Sequence, residues 1–219
     1  MGFETTSGVT ANTDPFTVFL IDNDRRTLDG VSQLLHSVGH STKTYVQPKT
    51  FLEEHDRSAH GCVVLELSMP GLNGLDVQKE LLKRGVERPV IFLTKRATIE
   101  TSVEAMKAGA IDFLPKPFKE DELLSAISIA AERDRVRLKK QAERDAAASR
   151  LARLRPRERE VIDLVVSGMA NKNIAATLGI ALRTVKEHRC RACQKMGAKH
   201  VAELVRMIGK VSGSQRMAH

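Results

Sequence analysis

Short apolar runs and amphipathic stretches alternate through the first 118 residues of the chain. In Thr17-Val18-Phe19-Leu20-Ile21 four apolar residues follow one another, as in a strand buried on both faces. From Arg26 to about Val38, Leu28, Val31, Leu34 and Leu35 recur three and four residues apart, the period of a helix with one apolar face. Further strands are expected over Ser41–Val46, Cys62–Leu67, Val90–Thr94 and Asp112–Leu114, with helices near Pro48–His55, Leu75–Arg84 and Ile99–Ala108. Gly39, Gly85 and Gly109 stand where three helices should end. Five strands alternating with helices predict an α/β unit, a doubly wound five-stranded parallel sheet covered on both faces.

From Lys119 the alternation gives way to one long helical stretch reaching about Leu151. Its first turn holds Glu120, Asp121 and Glu122, which suits the helix dipole. Leu123, Ile127 and Ala130 form an apolar stripe that thins into Arg133-Asp134-Arg135 and Lys139-Lys140, as in a helical linker, either a short coiled coil between two copies or a solvated single helix. The remainder is helical by pattern. One helix starts at Pro156, with Val161, Leu164 and Val165 as its core face, and stops at Gly168. A short one runs from Asn171 to Leu178, Gly179-Ile180-Ala181 turns the chain, another spans Leu182–Met196, and a last covers Val201–Ile208. The expected organisation is a disordered tail over 1–15, an α/β domain over 16–131, a helical linker over 132–152 and an all-α domain over 153–219.

Charge sharpens this division. Residues 1–118 carry a net −2, residues 119–150 a net +1, and residues 151–219 a net +9, from 14 Lys and Arg against 5 Asp and Glu. Such an excess in a small helical domain is the electrostatic footprint of a nucleic-acid binder. No run approaches the length of a membrane-spanning helix, so no membrane partner is expected. The first residues are too polar for a secretory signal, and three cysteines, an odd number, are in keeping with a reducing cytoplasm.

Candidate chemistry gathers at the carboxyl ends of the expected strands, where open α/β sheets place their sites. Asp22-Asn23-Asp24 follows the first strand, Glu66 the third, Thr94-Lys95 the fourth and Lys116-Pro117-Phe118 the fifth. In that order and spacing the groups resemble the receiver domain of response regulators, whose flavodoxin- or CheY-like fold this implies. The resemblance makes Asp22, Asn23 and Asp24 the acidic metal position, Glu66 the phospho-acceptor position, and Thr94, Phe113 and Lys116 the switch residues. Two departures stand out. The acceptor is a glutamate where the family has aspartate, and the second acid of the metal pair is Asn23. Mg²⁺ demands close, near-octahedral oxygen ligands, so at most weak Mg²⁺ binding and no other cofactor is expected. Glu66 then either mimics the phosphorylated state permanently by reaching Lys116 and Thr94, or belongs to a pocket kept only for packing.

In the basic third, Arg157-Glu158-Arg159-Glu160-Val161, Asn171-Lys172-Asn173-Ile174-Ala175 and Arg183-Thr184-Val185-Lys186-Glu187-His188 resemble the LuxR/FixJ-type DNA-binding domain. With the receiver, they make the chain similar to NarL/FixJ-type response regulators. The resemblance implies a helix-turn-helix whose second helix enters the major groove. Lys172, Arg183, Thr184 and Arg189 are expected at phosphates, while Lys186, Glu187 and Cys190 lie on the exposed face of that helix. The same resemblance makes Val201, Leu204, Val205 and Ile208 a dimerisation face, with packing inside the domain as the alternative. Cys190 and Cys193 sit three apart, but no second ligand pair at zinc spacing accompanies them.

The expected partners are double-stranded DNA and a second copy of the chain. A histidine kinase or other signalling protein and RNA polymerase are further partners that such a regulator would meet. No catalytic residues are expected. The rivals are an orthodox output switched by phosphorylation, and a receiver that acts by titrating a protein partner.

Overall fold

The computed structural model describes residues 16–56 and 59–215. The tail expected over 1–15 lies outside the described residues. Five strands, β1 (Thr17–Ile21), β2 (Ser41–Tyr45), β3 (Gly61–Leu65), β4 (Val90–Thr94) and β5 (Asp112–Pro115), alternate with α1 (Arg25–Ser37), α2 (Pro48–Glu54), α3 (Gly74–Lys83) and α4 (Ile99–Lys107). Then follow α5 (Glu120–Leu151), α6 (Pro156–Val166), α7 (Asn171–Leu178), α8 (Leu182–Met196) and α9 (Val201–Gln215). All strand pairs are parallel and their order is β2-β1-β3-β4-β5. The direction of winding therefore reverses beside β1 and β3, opening a crevice at their carboxyl ends.

Period-two alternation sorts the strand side chains into two cores. Phe19, Ile21, Val63, Leu65, Val90 and Phe92 face one layer with Phe51, Val77 and Leu81. Val18, Leu20, Cys62, Val64, Ile91 and Leu93 face the other, against Leu28, Val31 and Leu35 of α1 and Leu123, Ile127 and Ala130 of α5. Burial on both sides explains why β1, β3 and β4 read as unbroken apolar runs.

Several boundaries differ from the pattern-based expectation, most by a residue or two, and three of the differences bear on the sites. β3 ends at Leu65, which leaves Glu66 just beyond the ladder. α9 continues past Ile208 to Gln215. Gly209 costs only about 1 kcal/mol relative to alanine inside a helix, and Met207 and Val211 still pack on the core around it. The third difference concerns the linker. The described residues form two compact units that part between Leu138 and Lys139, both inside α5. Within residues 132–152, Asp134 is buried in the first unit, and Ala147 and Leu151 are buried in the second. Ile129 and Val136 are exposed on α5, with the exposed Glu132 and Arg133 between them.

In the second unit, Val161, Ile174 and Val185 join α6, α7 and α8 in one small core. Leu151, Ile162, Ala192, Met196, Leu204 and Ile208 form another that seats α9. Gly179 ends α7 in the left-handed conformation, φ +63°, allowing the short turn into α8.

Candidate functional sites: an acid pocket and a basic helix pair

The first site stands at the ends of β1, β3, β4 and β5. Gly74 opens α3 close enough to the β3 loop that a Cβ there would lie 2.6 Å from the Glu66 carbonyl oxygen. That approach fixes the backbone of Glu66, whose side chain is turned inward and only 4% exposed. Its Oε1 accepts from the Thr94 hydroxyl at 2.5 Å and from the Ser68 amide at 3.0 Å. Its Oε2 accepts from Lys116 Nζ at 2.9 Å, and the same ammonium reaches Asp22 Oδ2 at 2.5 Å. Burial pushes the Glu66 carboxyl up, but the hydrogen bonds from Thr94, Lys116 and Ser68 outweigh it and hold the group below the ordinary glutamate value. An ammonium thus bridges two buried carboxylates, and both oxygens of Glu66 are occupied.

The other expected members take different places. Asp22 Oδ1 accepts from the Asp24 amide at 2.8 Å. Asp24 lines the mouth of the same pocket but its carboxylate is taken up elsewhere: it caps α1, accepting from the Arg26 amide at 3.1 Å, and meets Lys95 Nζ at 2.9 Å. The hydrogen bond from Lys95, first among several, lowers its carboxyl to about 2. Asn23 is exposed. Phe113 is half-buried, its ring 5.8 Å from that of Phe92. Thr94, Glu66, Lys116 and Asp22 therefore come together, while Asn23, Asp24 and Phe113 stay outside the network. Among the described residues, no group of three His, Cys, Asp or Glu could hold a metal ion. Ser68 carries no signal of its own in the sequence beyond standing two residues after Glu66, and Lys95, grouped there with Thr94, pairs with Asp24.

The second site is the helix pair α7–α8. Both helices have alanine at the N-cap, Ala170 and Ala181, with no side-chain cap, so their first amides are not covered by a capping side chain. Lys172, Arg183, Lys186, Glu187 and Cys190 are exposed, and Thr184 is half-buried. Val185, Ala192 and Met196 fill the opposite, buried face of α8. Arg183 Nε lies 3.2 Å from Glu187 Oε1 on one surface stripe. Arg189, expected at a phosphate, instead bonds through Nη1 to Asn171 Oδ1 and ties α8 to the start of α7.

Beneath this pair, Glu158 is 1% exposed and accepts from the Arg155 amide at 2.9 Å and Lys195 Nζ at 2.6 Å. This half-buried ion pair joins α6 to α8 across 37 positions, a separation that sequence spacing does not reveal. The dimerisation assignment needs correction. Leu204 and Ile208 are 0% and 3% exposed and pack in the core of their own unit, so they are not available to a second copy. An apolar stripe on a helix reads the same whichever surface covers it. Val201 and Val205 remain half-buried.

Fold and sites together define a two-part regulator, a receiver followed by a helix-turn-helix domain. Residues 18–128 match the response regulator receiver domain family, and residues 152–208 match the bacterial regulatory proteins of the luxR family. The transcriptional regulatory protein TdiR of Thauera aromatica is 37% identical over 192 residues, 88% of this chain and 85% of its own length. Nodulation protein W of Bradyrhizobium diazoefficiens is 40% identical over 192 residues, 87% of this chain and 84% of its own. Among solved structures, response regulator StyR is 39% identical with a TM-score of 0.74, covering 90% of this chain and 99% of that one. The chain belongs to the NarL/FixJ-type response regulators, two-component proteins that regulate transcription through a LuxR-type DNA-binding domain. No described helix is long and apolar enough to cross a membrane.

Proposed function

We propose that this response regulator binds a specific DNA site and that its receiver is not switched by ordinary aspartyl phosphorylation. The observation that carries the reading is the engagement of Glu66: its two carboxylate oxygens already accept from Thr94, Ser68 and Lys116. Phosphoryl transfer needs an attacking oxygen free and in line, with a cation to gather the charge. Here the nucleophilic oxygens are engaged, and the longer side chain brings a permanent negative charge to the hydroxyl and ammonium that a phosphoryl group would otherwise meet. Mg²⁺ does not suit this donor set. Lys116 stands on Asp22 and Glu66, Asp24 is committed to α1 and Lys95, and Asn23 carries no charge. The pocket is accordingly assigned a Mg²⁺-independent role, with Lys116 as its internal cation.

On the DNA side, we assign Lys172, Arg183 and Thr184 to phosphates, together with the uncapped amides of α7 and α8. Lys186, Glu187 and Cys190 are assigned to base edges in the major groove, and Arg189 to positioning α8. Such a helix-turn-helix reads a roughly palindromic site as a homodimer, with half-sites about one helical turn apart. A second copy would cover the stripe Ile99, Val103 and Met106 of α4, where Ile99 is 79% exposed, rather than Leu204 and Ile208. The reading places the chain in the cytoplasm, at promoters with RNA polymerase, as a regulator without catalytic residues.

The test is incubation of the full chain with acetyl phosphate and Mg²⁺, followed by intact-mass measurement and gel-shift titration on genomic fragments. The expected result is an unlabelled protein whose DNA affinity is unaffected by the acyl phosphate. Stoichiometric labelling at Glu66 with tighter DNA binding would restore the orthodox, kinase-driven reading.

A further inference from the structure

Helix α5 is held to the sheet by Leu123, Ile127 and Ala130, three positions on one stripe. One turn further the same stripe reaches Asp134, an acid where an apolar residue would continue the packing. Asp134 is nevertheless 1% exposed. Its Oδ2 accepts from the Gly61 amide at 2.9 Å, at the very start of β3. Its Oδ1 accepts from Arg137 Nε at 2.8 Å, one turn along the same helix.

Gly61 is built for this contact. Its φ of +145° is a conformation that glycine alone adopts readily, and a Cβ there would lie 1.8 Å from the Thr17 carbonyl oxygen. The buried Arg88 completes the cluster at the same end of the sheet. Its Nη2 donates to the carbonyls of Asp56 and Ala59, and its guanidinium lies 4.7 Å from the centre of the Phe19 ring. Burial first, and then the neighbouring Arg137, depress its pKa to about 10, while Asp134 opposes that fall. The acid thus stands in the field of two guanidinium groups and on the main-chain amide that opens β3. Beyond Arg137 the first unit ends, at Leu138.

We propose that Asp134 is a clamp: by gripping the first amide of β3 and the guanidinium of Arg137 it extends the rigid part of α5 one turn beyond the apolar core and sets where the receiver stops. Packing alone would release the helix after Ala130. The clamp carries the sheet's position to Leu138 through a charge-assisted contact, a stronger fastening than a neutral hydrogen bond.

Hydrogen exchange of the full-length chain tests this with Asp134→Ala and Asp134→Asn. For Asp134→Ala, amides of residues 131–138 should exchange at least about tenfold faster, while those of β3, β4 and the Glu66 loop stay within about twofold of wild type. Asp134→Asn keeps an acceptor for Gly61 but loses the charge facing Arg137, so its effect should be intermediate. Two outcomes overturn the proposal: unchanged protection over 131–138 in both variants, or an acceleration spread evenly over the whole receiver, which would make Asp134 an ordinary core residue. Should the alanine variant not fold, the asparagine variant alone is judged by the same two patterns.

Discussion

Replacing Lys116 with methionine removes the ammonium that bridges Asp22 and Glu66 while keeping most of the buried stem. The Lys116 side chain is 8% exposed, and those of its two partners are 6% and 4% exposed. Breaking a buried pair by removing one member costs about 3–5 kcal/mol, since the charge left behind is uncompensated. Here two carboxylates are left facing each other, so the upper half of that range is expected at neutral pH. The loss should depend on pH with a defined sign. In the wild type Glu66 is held below its ordinary value, so its contribution is present above the unfolded-state pKa and disappears as pH falls through the lowered one. In Lys116→Met the ammonium is gone, the remaining pair resists ionisation, and folding favours the protonated form. The gap between the proteins should therefore be widest near about pH 8 and narrow steadily toward about pH 4.5.

The measurement is urea unfolding followed by tyrosine fluorescence. The chain has one tyrosine and no tryptophan, and Tyr45 ends β2 with its ring 5.4 Å from that of Phe51. The signal thus reports the receiver alone in a two-unit chain whose overall unfolding need not be two-state. A loss below about 1 kcal/mol, or one of equal size at both ends of the pH range, would refute the claim that Lys116 is the counterion holding this pocket together.

Further outcomes follow from the same geometry. Lys172→Ala should weaken binding about equally for all DNA sequences and flatten the salt dependence by roughly one unit of slope, measured by gel shift across a salt series. Glu187→Ala, which also frees Arg183, should change base preference more than total affinity, read by binding-site selection. Lys195→Met should destabilise the helical unit by about 1–3 kcal/mol because buried Glu158 keeps only the Arg155 amide, visible as an earlier loss of helical circular dichroism on heating. Gly61→Ala should prevent a stable receiver from forming, seen as loss of the Tyr45 transition.

Much of the fold is legible because each layer leaves its period in the sequence. β1, β3 and β4 are largely apolar since both faces are covered, and α1 shows its single face at Leu28, Val31 and Leu35. The acid pocket is legible because a parallel sheet delivers its strand ends to one edge. What spacing could not reveal are contacts made by a polar group in an apolar place or across a long separation. Asp134 continues a stripe that looks finished at Ala130, and Glu158 meets a lysine two helices away. Asp24 was legible as an acid but not as the cap of α1, since that depends on where the helix begins. Leu204 and Ile208 show the converse case. Their stripe is plain, yet nothing in it says that the domain itself provides the cover.

The Thr94 hydroxyl rests on a side chain that translation installs once. Message duration in a phosphate-driven regulator is timed by hydrolysis, and a carboxylate attached through carbon has nothing to hydrolyse. On the reading proposed above, this pocket keeps no clock. The strength and persistence of its output would then follow the rates at which the cell makes and degrades the polypeptide.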